Sequence, residues 1–442
     1  MPEGQKREIE DFISWWMTEN KVPGMSIGLV EGDEVVYANG FGSRDLNKDL
    51  PTTVKTLYGI GSISKSFTAI AVMKLVQEGK LSVYDLVKDH LPVNWDESIT
   101  IHHLLTHSSG MPSLGVSEVL IARLIGLEER GVPLGDRADF YMHINNALDE
   151  FAAPPGERFF YFNSGYKLLG LIVEKVGGRS YEEYVREEIL APLSMNRSTF
   201  VPEGGDVMTP YFSRNNDPTP TELPVRDLSF PAGGLLSSVD EMVNYLMMNM
   251  NGGIFKGINI IDEEFLNEIH KGHIPRERGS YGYGWSVKHF NGKKFIGHGG
   301  SIAVASAYLG FTDDAGVILA CNTSPSSSVE AVGKALLTIL DGKDWRELTY
   351  FARKERMKFL EGEYETYRGA RKAKVERQDG LLRVEFIEEL EKESHILIPK
   401  AKDVHDYEFY YHDAEGGTNT VEFVVNKGDI DMFVERYRLH KM

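Results

Sequence analysis

The chain has 442 residues, enough for one large domain with a smaller one, or for two or three of medium size. Its composition, 42% hydrophobic and 26% charged, is that of an ordinary globular protein, and no apolar tract is long enough to suggest a spanning helix. A formal net charge of −18 argues against nucleic acid and anionic membrane as partners, because both are bound largely through clustered Lys and Arg.

The first stretch, MPEGQKREIEDFISWWMTEN, carries charges throughout and lacks the apolar region of a signal peptide, so a cytoplasmic location is expected. Its Ile9, Phe12, Ile13 and Trp16 fall on one face of a helix. MSIGLVEGDEVVYANGFG then alternates around Glu31 to Asp33 and reads as a hairpin. From Ser62 to about Glu78 the sequence predicts a helix apolar nearly all round, closed by Gly79 and buried on most sides. Helices and loops dominate to about residue 275. Two further hairpins follow, turning at Asn291-Gly292 and near Asp313 to Gly316, and SSVEAVGKALLTILDG ends this part as a helix. Strands at both ends of a helical middle imply an α+β domain. From about Leu360 short alternating segments (LLRVEF, HILIP, YEFYY, VEFVV, DMFVERYRL) are separated by Asp379-Gly380, Glu415 to Gly417 and Lys427-Gly428, the pattern of a meander or small antiparallel β-barrel. The expected domains are 1–345 and 360–442, with 346–359 as linker. The single cysteine, Cys321, excludes an internal disulfide framework and a cysteine metal cluster. The scarcity of glutamine (Gln5, Gln77, Gln378) hints at a heat-adapted source.

Three short motifs carry chemistry. Ser62 and Lys65 form Ser-x-x-Lys, and residues three apart on a helix share a face, so the amine can reach the hydroxyl. Burial and the helix N-terminus would lower the lysine pKa and favour an anion at Ser62. Tyr161-Phe162-Asn163 is a Tyr-x-Asn in which the phenol needs a nearby cation, such as Lys65, to act as a base near neutrality. His298-Gly299-Gly300 ends a strand where glycines admit a substrate backbone and the amide of Ser301 can face a pocket. Each has a duplicate, at Ser164 to Lys167, at Tyr37-Ala38-Asn39 and at His270-Lys271-Gly272, so spelling alone decides nothing.

In order and surroundings the motifs resemble the serine β-lactamase and penicillin-binding-protein family, in its class C and esterase-like branch. PGMSIGLVEGDEVVYANGFG, LLTHSSGM, GYKLLGLIVEKV and PAGGLLSSVDEMVNYL extend the resemblance over roughly residues 9 to 342. Within the family the chain looks most like the archaeal self-compartmentalising peptidases, whose C-terminal domain is lipocalin-like. The resemblance implies an antiparallel sheet with helices on its faces plus a helical subdomain, followed by the barrel. Carried over by position, Ser62 is the acylated nucleophile, Lys65 its proton partner, and Tyr161 the general base or the acid to the leaving group. Asn163 binds a substrate amide, with the amides of Ser62 and Ser301 as the oxyanion hole. His298 stands where β-lactamases keep a lysine, and Gly299 where they often keep a hydroxylated residue. Histidine near its usual pKa is only a partial cation, which favours peptides, amides or esters over efficient β-lactam hydrolysis. No cofactor is implied. The expected substrate is a short peptide, D-residues included, and the expected assembly a self-compartmentalising homo-oligomer, an octamer being one size it could take.

Other readings compete. His103 and His107 have metal-ligand spacing, yet no glutamate follows His103 and no third ligand is evident, so no metal is expected. The insertion Ser117 to Gly131 is apolar at Val119, Leu120, Ile121, Leu124 and Ile125; core packing is the default and a lid or subunit contact the sharper alternative. A barrel of about ninety residues is short, so a filled interior is expected, with a role in assembly or access. The alternatives in function are a carboxylesterase or weak β-lactamase of the same family and, from another class, a retired hydrolase serving as a binding or scaffold protein.

Overall fold

The structure is a computed structural model that describes all residues except 96–97, 128–135, 203, 215–216, 379, 388–391, 401–406 and 427. The turn residues Asp379 and Lys427 and the end of the apolar insertion, 128–131, therefore lie outside the described residues. The chain divides into two compact units, Met1–Asp341 and Gly342–Met442.

In the first unit, helix α1 (Glu3–Asn20) buries Ile9, Phe12, Ile13, Trp16 and Met17, the face its periodicity predicts. Strands β1 (Gly24–Glu31) and β2 (Glu34–Asp45) form the first hairpin, followed by the short β3 (Leu50–Pro51). The sheet is completed from the far end of the unit by β4 (Ile274–Arg276), β5 (Gly279–Tyr281), β6 (Ser286–Phe290), β7 (Lys293–Ser301), β8 (Ser306–Phe311) and β9 (Ala315–Cys321). Its nine strands run in the order β4-β5-β6-β7-β8-β9-β1-β2-β3, and β9 pairs antiparallel with β1. The β6–β7 turn is Asn291-Gly292, both at positive φ, as a two-residue hairpin of right-handed strands demands.

Between the two halves of the sheet lies the helical region. Helix α2 (Ser64–Gln77) follows a 3₁₀ turn at Gly61–Ile63 and is buried from Ser64 to Met73, so it sheds its polar face altogether. The insertion forms α3 (Val116–Leu124), then come α4 (Arg137–Asn145) and α5 (Asn163–Gly177). Of α3 only Val116 is buried, and Val119, Leu120, Ile121 and Leu124 remain half-exposed, so the insertion does not dissolve into the core. Helices α6 (Val239–Met250) and α7 (Val329–Leu340) cover opposite faces of the sheet: Leu246 reaches Gly316, whereas Gly333 lies against Tyr308 and Val317. Strand β9 is accordingly buried on both sides.

The second unit holds α8 (Thr349–Leu360), so most of the stretch read as linker is helix. Glu355 and Lys358 are exposed on that helix, while Phe351, Arg356 and Leu360 are buried. Eight strands follow, Gly362–Glu365, Lys372–Gln378, Leu381–Ile387, Lys392–Pro399, Glu408–His412, Thr418–Asn426, Asp429–Val434 and Tyr437–Lys441. They pair in chain order, and the last returns to the first, closing an antiparallel barrel. Alternate residues such as Leu382, Val384 and Phe386 turn inward and join Tyr364, Phe409, Phe423 and Met432 in one buried apolar cluster, the packing a filled interior requires.

Candidate active site

The site assembles where the start of α2 meets the end of β7. Lys65 is fully buried, and its Nζ donates to Ser62 Oγ at 3.0 Å and to the carbonyl of Ala232 at 2.6 Å. The same nitrogen lies 4.8 Å from the centre of the Tyr161 ring and 5.6 Å from that of Tyr166. Burial holds Lys65 well below the usual lysine range; Glu118 pulls upward and Lys167 pushes further down. Burial also pushes the Tyr161 phenol up, against a smaller opposing pull from a hydrogen bond with Ser62. The two shifts disfavour the ammonium at Lys65 and the phenolate at Tyr161 alike. Of the two roles expected of Tyr161, this environment suits the acid better than a resting phenolate base, because burial disfavours its anion.

Tyr161 is held by the LLTHSSG segment. His107, at φ +57°, accepts a hydrogen bond from Phe162 N on Nδ1 at 3.0 Å and from Phe160 N on its carbonyl at 2.8 Å, bracketing the tyrosine. Its Nε2–H is buried without a partner among the described residues, facing the rings of Tyr161, Tyr166 and Tyr281. His103 instead closes a capping arrangement with Thr100, and the helix between them ends at Leu105, so the i, i+4 geometry of a metal pair never forms. Among the described residues no group of three or more His, Cys, Asp or Glu could hold a metal ion.

Asn163 opens α5, and its carboxamide makes no hydrogen bond among the described residues. On β7, His298 Nδ1 donates to the carbonyl of Gly299 at 2.6 Å, which leaves Nε2 to accept from the Tyr281 hydroxyl at 3.0 Å. Burial, with Lys65 nearby, pushes this imidazole down to about 3. It is neutral at pH 7 rather than the partial cation expected. The end of β7 lies tight against the Ser62 turn: a Cβ on Gly61 would sit 2.6 Å from Ser301 N, and one on Gly300 would sit 1.9 Å from the Ile60 carbonyl oxygen. Gly61 also has φ +52°, so both positions need glycine. Gly299 and Ser301 are exposed at this edge, and the Ser301 hydroxyl is hydrogen-bonded to Ser324.

Sequence reading missed Tyr281, the positioning by His107, and Arg276, whose guanidinium lies 4.6 Å over Phe159 and 5.6 Å over Tyr281. Tyr281 and Arg276 lie in no motif that signals chemistry, and His107 drew only a metal-ligand reading with His103. The duplicates sort themselves by environment. Tyr37 donates to Glu10 from the sheet, His270 pairs with Asn249 in the core, and Lys167 turns onto Phe140 at 5.6 Å without reaching Ser164. Among the described residues, only at Ser62 and Lys65 do hydroxyl, desolvated amine, phenol and exposed strand edge converge, the parts needed for attack by a serine and proton transfer to a leaving group.

Residues 9–341 match the family model described as Beta-lactamase, and residues 345–440 match that of the Pab87 octamerisation domain. The chain is similar to the octameric penicillin-binding protein homologue from Pyrococcus abyssi, at 35% identity and a TM-score of 0.91, over 98% of this chain and 99% of that one. It is also similar to the penicillin-binding protein from Bacillus halodurans, at 25% identity and a TM-score of 0.61, over 75% of this chain and 98% of the other. Protein Flp of Staphylococcus aureus is 35% identical over 201 residues, 44% of this chain and 38% of its own, so the chain spans under two fifths of that curated relative. With the family match running through the sheet, α2 and the residues around Ser62, the chain belongs to the beta-lactamase family, the β-lactamase and penicillin-binding-protein-like serine hydrolases.

Proposed function

We propose that the protein is a serine peptidase that forms an acyl-enzyme on Ser62 and hydrolyses short peptides, those with D-residues included. The observation that carries this reading is the fully buried Lys65 amine 3.0 Å from Ser62 Oγ. A neutral Lys65 accepts the Ser62 proton as the hydroxyl attacks the scissile carbonyl. Tyr161 donates its proton to the leaving amine and recovers one from Lys65, and in deacylation the pair works in reverse on water. The amides of Ser62 and Ser301 hold the oxyanion, and Asn163 binds a substrate amide. His298, neutral and tied to Tyr281, supports the strand edge at Gly299 and Gly300, along which the substrate backbone lies.

The assembly is a homo-oligomer, an octamer, built through the C-terminal barrel and enclosing the active sites. The match to an octamerisation domain and the octameric Pyrococcus abyssi protein support this part of the reading. Enclosure restricts substrates to short chains, as a cytoplasmic peptidase requires.

The test is intact-mass analysis after exposure to a fluorophosphonate, with peptide mapping, alongside turnover of a mixed L- and D-peptide library by wild type and Ser62→Ala. One adduct on Ser62 and library cleavage lost in the variant are expected. An adduct without peptide cleavage would turn the assignment to an esterase, and no adduct on folded protein would turn it to a binding protein on a retired hydrolase fold.

A further inference from the structure

The second Ser-x-x-Lys ends at a lysine that the chemistry above does not use. Lys167 is 2% exposed and makes no hydrogen bond or ion pair among the described residues; its ammonium lies 5.6 Å from the centre of the Phe140 ring. Burial draws its pKa down to about 8, with Glu118 and Asp227 pulling it up, so the group still carries its charge at neutral pH. Such an ammonium, with three donors, no acceptor among the described residues and a cavity beside it, is open to an anionic partner.

Lys167 lines a cavity of about 130 Å³, space for roughly four waters. Water alone would waste its walls, which Leu171, Leu228, Phe230 and Pro231 make apolar. Glu182, half-buried, and Asp227, exposed, bring carboxylates to the lining. One side is the forked ion pair of Arg137 with Glu174, at 2.6 and 2.9 Å, which also borders a larger cavity of about 600 Å³. A ligand that satisfies the whole lining needs an anionic end for the lysine, a short alkyl group for the walls and a cationic end for the carboxylates. We propose that this cavity binds a small free amino acid, its carboxylate on Lys167, its side chain against Leu228 and Phe230, and its ammonium toward Asp227 and Glu182.

The site adjoins the catalytic pair through one piece of backbone. Pro231, a wall of the cavity, accepts a hydrogen bond from Thr68 Oγ1 at 2.7 Å, and the next carbonyl, that of Ala232, holds Lys65. Tyr181, also in the lining, donates to the same threonine at 2.7 Å. A ligand that neutralises Lys167 and presses on Pro231 is therefore felt at Lys65. Binding itself is independent of the peptidase reading, and a failure of either leaves the other standing.

Calorimetric titration of the full-length protein with L-alanine, D-alanine, L-valine and propionate tests the proposal, on wild type, Ser62→Ala, Lys167→Met, Leu228→Trp and the double variant Asp227→Asn, Glu182→Gln. Saturable binding of at least one amino acid is expected, unchanged in Ser62→Ala and weakened about tenfold or more in Lys167→Met. Leu228→Trp fills the cavity without touching the lysine and gives the same loss if Lys167→Met does not fold. The double variant should reduce amino-acid affinity to that of propionate. No saturable binding to wild type, binding indifferent to both Lys167→Met and Leu228→Trp, or binding lost in Ser62→Ala would overturn the site. Propionate binding as tightly as the amino acids would overturn the ligand assignment.

Discussion

Two adjacent glycines on the same strand should respond in opposite ways to the same added methyl group. In Gly300→Ala the new carbon falls 1.9 Å from the carbonyl oxygen of Ile60, 2.8 Å from its carbonyl carbon and 3.1 Å from the amide nitrogen of Ser62. The first distance is roughly 1.5 Å short of ordinary contact, and all three neighbours are backbone with no side chain to swing aside. The strand end and the Ser62 turn must part by about 1 Å. Overpacking of this kind costs about 1–3 kcal/mol in stability. A 1 Å misplacement, or one lost oxyanion donor, costs about 10²–10³ in rate. In Gly299→Ala the carbon meets only Tyr308 Cδ2 at 3.9 Å and the Ala307 oxygen at 4.0 Å, so rate and stability should stay within about threefold and 0.5 kcal/mol of wild type. The assay is the second-order rate of fluorophosphonate labelling at Ser62, with thermal melts of the unlabelled proteins. It needs no knowledge of the natural substrate. Labelling of Gly300→Ala at wild-type rate, or an equal loss in Gly299→Ala, would refute the argument that close backbone approach builds the oxyanion site.

Hydrolysis should rise with pH through the depressed Lys65 pKa, since only the neutral amine can take the Ser62 proton, with no inflection near 6.5 from His298. Lys65→Arg, permanently charged, should lose about 10²–10⁴-fold, and an active Lys65→Arg would contradict the mechanism. His270 and His298 are held neutral by burial to about 3, against an ordinary value of about 6.5. The unfolded chain therefore binds more protons between those values, and stability is complete above about 6.5 and falls as pH falls through the window. Each imidazole should cost about 2 kcal/mol at pH 5, read as a lower Tm than at pH 7; equal melting temperatures would count against their burial. Removal of residues 342–442 should leave Ser62 reactive but reduce the particle to a monomer by light scattering, and an unchanged mass would exclude the barrel as the assembly element. EDTA should leave hydrolysis unaltered, and restoration of a lost rate by added zinc would reopen the histidine pair as a ligand set.

The sequence by itself determined the local geometry. A hydroxyl and an amine three residues apart at a helix start share a face whatever surrounds them. Asn291-Gly292 between alternating strands makes a tight hairpin, and inward alternation after Leu360 gives strands that must pair to bury one face. It could not tell Ser62-x-x-Lys65 from Ser164-x-x-Lys167, because both satisfy the spacing. Tertiary structure separated them: one lysine points at its serine and the other at Phe140. Charge states lay equally beyond the sequence. The depressed Lys65, the raised Tyr161 and the neutral His298 follow from exclusion of water by groups that arrive from α5, β5 and the backbone of Ala232. The end of β7 meets the Ser62 turn across more than two hundred residues of chain. Spacing along a chain fixes which side chains share a face, whereas protonation and reach depend on what fills the space opposite, and only the packed fold decides that.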